Sequence, residues 1–273
     1  MTLTSDRVES LPFAERLPAR TAIVVPAYNE AKHLPELVRR CLAVGPERLV
    51  LIDDASTDAT PEVVQRVLAS LSADDAARVT ALRNPSNLGK QGSVRRGLRA
   101  LAGLDLDAVA LIDGDLQHDP AELPPLVTLV TDGFADVVIG ARRHDEMPRH
   151  RRVSNWLVNA GFRLVGGFDP VDVQSGLRVY TKVLADAVAA GLPERGGYRL
   201  EHESLAVLAR TARATGTEIR IAAAPISCHY GDAVSTLKKR DVFKLAMETV
   251  RQARRIRRAG RPLPAVPPRA EVG

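Results

Sequence analysis

Thr21-Ala22-Ile23-Val24-Val25, halted by Pro26 and followed by Ala27-Tyr28-Asn29-Glu30, is the run from which the fold can be read. A short β-branched apolar run of this kind suits a strand buried on both faces of a parallel sheet. Leu34, Leu37, Val38, Cys41 and Leu42 then fall at i, i+3, i+4, i+7 and i+8, and Gly45 stands where a helix would end. The unit repeats. Arg48-Leu49-Val50-Leu51-Ile52 is a second strand, Thr60-Pro61 reads as N-cap and first helical position, and Val64, Val67, Leu68 and Leu71 make the next stripe. Val79-Thr80-Ala81-Leu82 is a weaker third strand; a helix from about Gly89 to Ala102 leads to a fourth, Ala108-Val109-Ala110-Leu111-Ile112. The alternation predicts an α/β fold with a mostly parallel central sheet and ligands at the carboxyl ends of its strands.

The pattern loosens after Asp136-Val137-Val138-Ile139-Gly140. A basic stretch follows, then helices near 154–165, 181–190 and 201–214, with strands near 177–180 and 218–223. We expect one main domain over 21–237, preceded by a flexible arm at 1–20. A basic amphipathic helix at 238–260 and a disordered Pro-rich tail at 261–273 complete the chain. With 273 residues, 45% hydrophobic and 26% charged, the chain can build one substantial core.

The net charge of +5 is unevenly placed. Between Lys238 and Arg258 nine basic residues face two acidic ones, a local +7, so the remainder carries −2. This points to an anionic surface as partner, a lipid headgroup layer before nucleic acid, with a plain amphipathic helix packed on the domain as the alternative. No apolar run is long enough to span a bilayer, and the opening residues lack a signal core, so the expected location is cytoplasmic, with peripheral membrane contact. Cys41 and Cys228 fit two reduced thiols.

The polar residues gather at strand ends. Asp113-Gly114-Asp115-Leu116-Gln117-His118 follows the fourth strand, and its two carboxylates, two apart, aim the same way in extended chain. Like charges that converge are costly unless a cation neutralises them, and hard oxygens suit Mg²⁺ or Mn²⁺ bridging a diphosphate. A plain turn with a helix cap is the alternative. Asp53-Asp54-Ala55-Ser56-Thr57-Asp58-Ala59-Thr60 ends the second strand; Asp58 or Thr60 would cap the next helix, while Asp53 and Asp54 invite a base or ribose.

Taken together, Pro26-Ala27-Tyr28-Asn29-Glu30, the Asp53–Thr60 cluster, Asn84 with Asn87-Leu88-Gly89-Lys90, and Asp113-Gly114-Asp115-Leu116-Gln117-His118-Asp119-Pro120 resemble family-two glycosyltransferases of the GT-A fold. The resemblance covers roughly 22–239. Leu116-Gln117-His118 and Gln174-Ser175-Gly176-Leu177-Arg178-Val179-Tyr180 look most like dolichyl-phosphate mannose synthases and bacterial polyprenyl-phosphate glycosyltransferases. It implies a hexose transferred with inversion from a GDP- or UDP-sugar to polyprenyl phosphate, with Mg²⁺ or Mn²⁺ as cofactor. Pro26, Tyr28, Glu30, Asp54, Lys90, Asp113 and Gly114 would bind the donor, and Asp113, Asp115 and Gln117 the metal, with Asp115, Gln117 and Arg143 nearest the chemistry. Arg142, Arg143, Arg149, Arg151, Arg152, Ser175 and Arg178 are the matching acceptor-phosphate positions, and His229, Tyr230, Gly231 and Ser235 resemble a closing lid. Leu177 replaces the usual aromatic residue.

A phosphate acceptor is already anionic near neutral pH and needs no general base. A soluble hydroxyl acceptor would need one, and Glu201 or Glu203 are the candidates. A nucleotide-sugar binding module without turnover is the third reading.

Overall fold

A computed structural model describes residues 15–142, 156, 159–160, 172–195, 200–228 and 254. Three expectations therefore lie outside the described residues: the arm over 1–14, most of the 154–165 helix, and the basic helix and tail apart from Arg254.

Seven strands form one sheet in the order β3-β2-β1-β4-β6-β5-β7. In chain order they are β1 (Thr21–Ala27), β2 (Arg48–Asp53), β3 (Val79–Arg83), β4 (Ala108–Leu111), β5 (Val137–Arg142), β6 (Arg178–Thr181) and β7 (Ile221–Ile226). β1 runs parallel to β2 and β4, and β2 parallel to β3. β6 lies antiparallel between β4 and β5, and β7 pairs parallel with β5. The sheet is thus mostly parallel, as the alternation of apolar runs predicts, with one strand inverted.

The helices are α1 (Leu34–Ala43), α2 (Thr60–Ser70), α3 (Ala73–Arg78), α4 (Gly89–Ala100), α5 (Leu123–Thr131), α6 (Lys182–Gly191) and α7 (Leu200–Thr215). All of β1 is buried, and its residues divide by period two. Ala22 and Val24 pack with Val94 and Leu98 of α4 on one face, while Ile23 and Val25 pack with Leu37, Val38 and Cys41 of α1 on the other. Burying a Val or Ile side chain contributes about 1.5–3 kcal/mol, so this strand belongs inside.

Two elements depart from the sequence reading. Thr60 is the first residue of α2 and not its cap; its N–H donates to Asp58 Oδ1 at 2.9 Å, so Asp58 satisfies that end of the helix. The short α3 was not foreseen. Ser72 caps it by accepting from the Asp75 N–H at 3.1 Å, a polar signal without an apolar stripe. β3 is weak because it is the edge strand, with three of its five residues exposed.

β1 and β4 are neighbours, yet α1 and α4, which follow β1 and precede β4, cover opposite faces. The chain turns from one direction of winding to the other here, and that is where an open α/β sheet leaves a crevice. α4 must lie close to the sheet. A Cβ on Gly97 would stand 2.6 Å from both Val24 Cγ1 and Ile52 Cδ1. Gly97→Ala should gain about 0.5–1 kcal/mol of helix propensity and lose about 1–3 kcal/mol to overpacking. The expected outcome is net destabilisation, read as a lower urea midpoint with unchanged slope.

Candidate active site

The site is assembled from loops at the carboxyl ends of β1, β2 and β4. Asn29, Ala55 and Leu116, one on each loop, adopt positive φ of 59°, 57° and 57°. Non-glycine residues held there cost on the order of 1–3 kcal/mol each, so the surrounding bonds must hold them. Asn29 Oδ1 accepts from the N–H groups of Thr57 and Asp58 at 2.9 and 3.3 Å. In return the Asn29 N–H donates to Ser56 Oγ and the Glu30 N–H to Thr60 Oγ1, both at 2.9 Å. The Ser56 N–H closes the set on Asp53 Oδ1 at 2.9 Å. Most polar residues of the second motif therefore act as a brace between the first two strand ends.

Asp54 differs. Its Oδ1 accepts from Asn84 Nδ2 at 2.7 Å and from the Leu88 N–H at 2.8 Å, fixing a buried carboxylate beside the loop that opens α4. Tyr28 stands exposed at the mouth of the same edge.

The acidic motif after β4 meets β1 through Gly114, where a Cβ would come within 2.9 Å of the Pro26 carbonyl oxygen. Asp113 and Asp115 then fall into unlike surroundings. Lys90 Nζ lies 2.7 Å from Asp113 Oδ1 and 3.0 Å from its Oδ2, and 2.7 Å from Glu201 Oε1. Burial alone would lower the Lys90 pKa, but the two carboxylates outweigh it and the ammonium is held charged. Glu201 is likewise buried. Burial would raise its pKa, yet Lys90 and Arg178 bring it below the usual carboxylate range. Asp115 takes one N–H, from Gln117 at 3.1 Å. Burial first, then the charges of Asp113 and Glu30, push its pKa up, against the Gln117 N–H and His118.

His118 is buried near the pair. Burial and Arg142 lower its pKa despite the pull of Asp113 and Asp115, and its Nδ1 has no hydrogen-bond partner among the described residues. Arg142 ends β5 in a bidentate pair with Asp172, Nε to Oδ2 at 2.8 Å and Nη2 to Oδ1 at 2.9 Å. Arg178, an expected phosphate contact, is only 1% exposed. Its guanidinium donates to the carbonyls of Ser175 (3.2 Å), Glu201 (3.1 Å) and Val173 (2.6 Å) and to Ser204 Oγ (2.9 Å). It clamps the 173–176 loop onto α7, and four bonds already directed inward leave it little to offer a ligand. Ser175 Oγ, by contrast, is buried with no partner among the described residues.

The structure therefore brings Lys90, Asp113 and Glu201 together and sets Glu30, Asp115, His118 and Arg142 around them. Glu203 is buried on α7. Arg143, Arg149, Arg151, Arg152, His229, Tyr230, Gly231 and Ser235 lie outside the described residues.

Residues 22–181 match the family profile described as glycosyl transferase family 2. The chain belongs to this family. Among its relatives are enzymes called undecaprenyl-phosphate 4-deoxy-4-formamido-L-arabinose transferase. That of Pseudomonas fluorescens is 31% identical over 174 residues, which are 62% of this chain and 49% of the relative. The chain thus spans about half the length of these curated relatives. An uncharacterised protein of Methanocaldococcus jannaschii is 26% identical and pairs 84% of this chain with 96% of its own. Two solved structures share the GT-A fold. Glucosyl-3-phosphoglycerate synthase of Mycobacterium tuberculosis, in complex with Mn²⁺, UDP and phosphoglyceric acid, superposes with TM-score 0.61 at 19% identity, covering 87% of this chain and 78% of that one. A mannosyltransferase of Pyrobaculum calidifontis, in complex with GDP-Man and Mn²⁺, gives 0.55 at 18% identity, covering 92% and 79%.

Gly176 stands within a quoted motif, but its packing against Asp113 and Lys90 was not foreseen. A Cβ there would overlap Asp113 Oδ2 and come within 2.9 Å of Lys90 Nζ. Gly176→Ala should displace the Asp113 carboxylate. Activity is expected to fall by about 100-fold, the order of loss that an ångström of misplacement produces, with a melting temperature close to that of the parent.

Proposed function

We propose that the chain transfers a hexose, with inversion, from a GDP- or UDP-sugar to a polyprenyl phosphate. The observation that carries this reading is the paired carboxylate of Asp113 and Asp115, set where β1 and β4 end side by side. Family membership and the names of the relatives agree with it.

A divalent cation fits the residues present. Asp115 has its pKa raised by burial and then by the charges of Asp113 and Glu30, so positive charge would be favourable there. Among the described residues no three His, Cys, Asp or Glu side chains converge into a closed cage, and Asp113 and Asp115 leave coordination positions for diphosphate oxygens. Asp113, Asp115 and Gln117 would hold Mg²⁺ or Mn²⁺, which supplies charge stabilisation for the departing diphosphate. The exposed Tyr28 ring would take the base, and the fixed Asp54 carboxylate the nucleoside's donor groups.

On the acceptor side Arg142 acts on His118 of the acidic motif and Ser175 adjoins Gly176, which packs on Asp113; Arg143, Arg149 and Arg152, outside the described residues, would add further guanidinium groups. An arginine forks onto phosphate as it does onto carboxylate. A phosphate oxygen attacks without a base, which agrees with the state of Glu201: a carboxylate bound to Lys90, with lowered pKa, is a poor proton acceptor. No described helix is long and apolar enough to cross a membrane. The basic segment from Lys238 to Arg258 would instead bring the protein to an anionic membrane face.

The test is transfer from GDP- and UDP-sugars to polyprenyl phosphate in mixed micelles with Mg²⁺ or Mn²⁺. We expect a lipid-linked sugar, and Asp115→Asn should lower the rate by at least about 10²–10³, the effect of removing one preorganised electrostatic group. Transfer that survives chelation would remove the metal, and transfer to soluble hydroxyls alone would remove the lipid. Donor binding without turnover would leave only a binding module.

A further inference from the structure

Asp113 has two claims on it. As a metal ligand it must turn a carboxylate oxygen towards a divalent cation, but both of its oxygens lie within 3.0 Å of Lys90 Nζ. Lys90 is anchored from the other side by Glu201 Oε1 at 2.7 Å, on a helix from a distant part of the chain. Gly176 closes the third side, because any Cβ would overlap the Asp113 carboxylate. Glu201 is itself fixed, since its carbonyl accepts from Arg178 Nη1 at 3.1 Å and from Ser204 Oγ at 3.1 Å. Lys90 also stands in the first turn of α4, where the helix dipole disfavours a cation, so its place depends on these two carboxylates.

From this arrangement we propose that Lys90 is a resident counter-cation competing with the divalent metal for Asp113, with Glu201 as the fixed partner that keeps the lysine when the metal takes the aspartate. The proposal rests on the donor-site reading above and gives it a sequence of events. The protein holds Asp113 neutralised by its own ammonium, and the metal with its diphosphate must displace that contact. Affinity for the bare metal is thereby kept low, while the diphosphate, which brings ligands of its own, shifts the competition. Lys90, tethered to Glu201, would then remain at the site as a second positive charge.

Three variants separate this role from a merely structural ion pair. Lys90→Met with Glu201→Gln removes a cation and an anion together, so local net charge is unchanged while Asp113 loses its ammonium partner. Glu201→Gln by itself leaves Lys90 to lean wholly on Asp113. The third is the Lys90→Met, Glu201→Gln pair placed in an Asp113→Asn background. The measurement is Mn²⁺ affinity of the full chain by electron paramagnetic resonance, with and without UDP or GDP, alongside thermal unfolding to confirm folding.

We expect the double variant to bind bare Mn²⁺ roughly tenfold more tightly than the parent, a ratio equivalent to about 1.4 kcal/mol. Glu201→Gln alone should bind it more weakly. The difference should vanish in the Asp113→Asn background, as a double-mutant cycle requires for contacting groups. Unchanged or weaker Mn²⁺ binding by a folded double variant would overturn the proposal while leaving the donor-site reading intact. No Mn²⁺ binding by the parent, even with UDP and GDP, would overturn both.

Discussion

Negative charge crowded at one edge of a parallel sheet is the constraint on which the rest of the molecule turns. Strands that run the same way end on the same side, and here three of them end in carboxylates: Glu30 after β1, Asp53 and Asp54 at the end of β2, and Asp113 with Asp115 after β4. Each is answered differently. Glu30 pairs with His33 at 2.9 Å, Asp53 with Arg83 at 3.3 Å, and Asp54 with Asn84. Asp113 is met by Lys90. For Asp115, burial first and then the charges of Asp113 and Glu30 push the pKa up.

The apolar architecture was legible because it is periodic. β1, β2 and β4 are continuous apolar runs, and α1 carries its stripe at helical spacing, so both elements and sheet class follow from local chemistry. The inverted strand β6 was not readable in the same way. Whether Arg178–Thr181 runs with or against β4 depends on how the chain returns after residue 142, and four residues carry no direction of their own. α3 escaped because its signal is a polar cap, and Thr60 was misplaced because two nearby side chains, Asp58 and Thr60, could serve one helix end and only the bond geometry decides between them.

The site was legible motif by motif, as the acidic clusters lie within a few residues of strand ends. Their connections were not. Lys90, Asp113, Gly176 and Glu201 are separated by tens of residues, and nothing in spacing says that an ammonium from one helix sits between carboxylates from a strand end and another helix. The same holds for Arg178. An arginine in a Ser-Gly-Leu-Arg motif suggests phosphate by chemistry, but its four inward bonds show a side chain satisfied by backbone carbonyls and Ser204. Burial, which a motif cannot display, separates those two uses.

The bidentate pair between Arg142 and Asp172 has a consequence for how such an enzyme can diversify. It staples the last residue of β5 to a residue ahead of β6, so the two ends of the intervening segment are held together. A change of length between those two ends need not disturb the register of β5 and β6. A lineage could therefore vary that segment while inheriting the sheet and its acidic strand ends unchanged, and a laboratory graft made between the same two residues would follow the same seam.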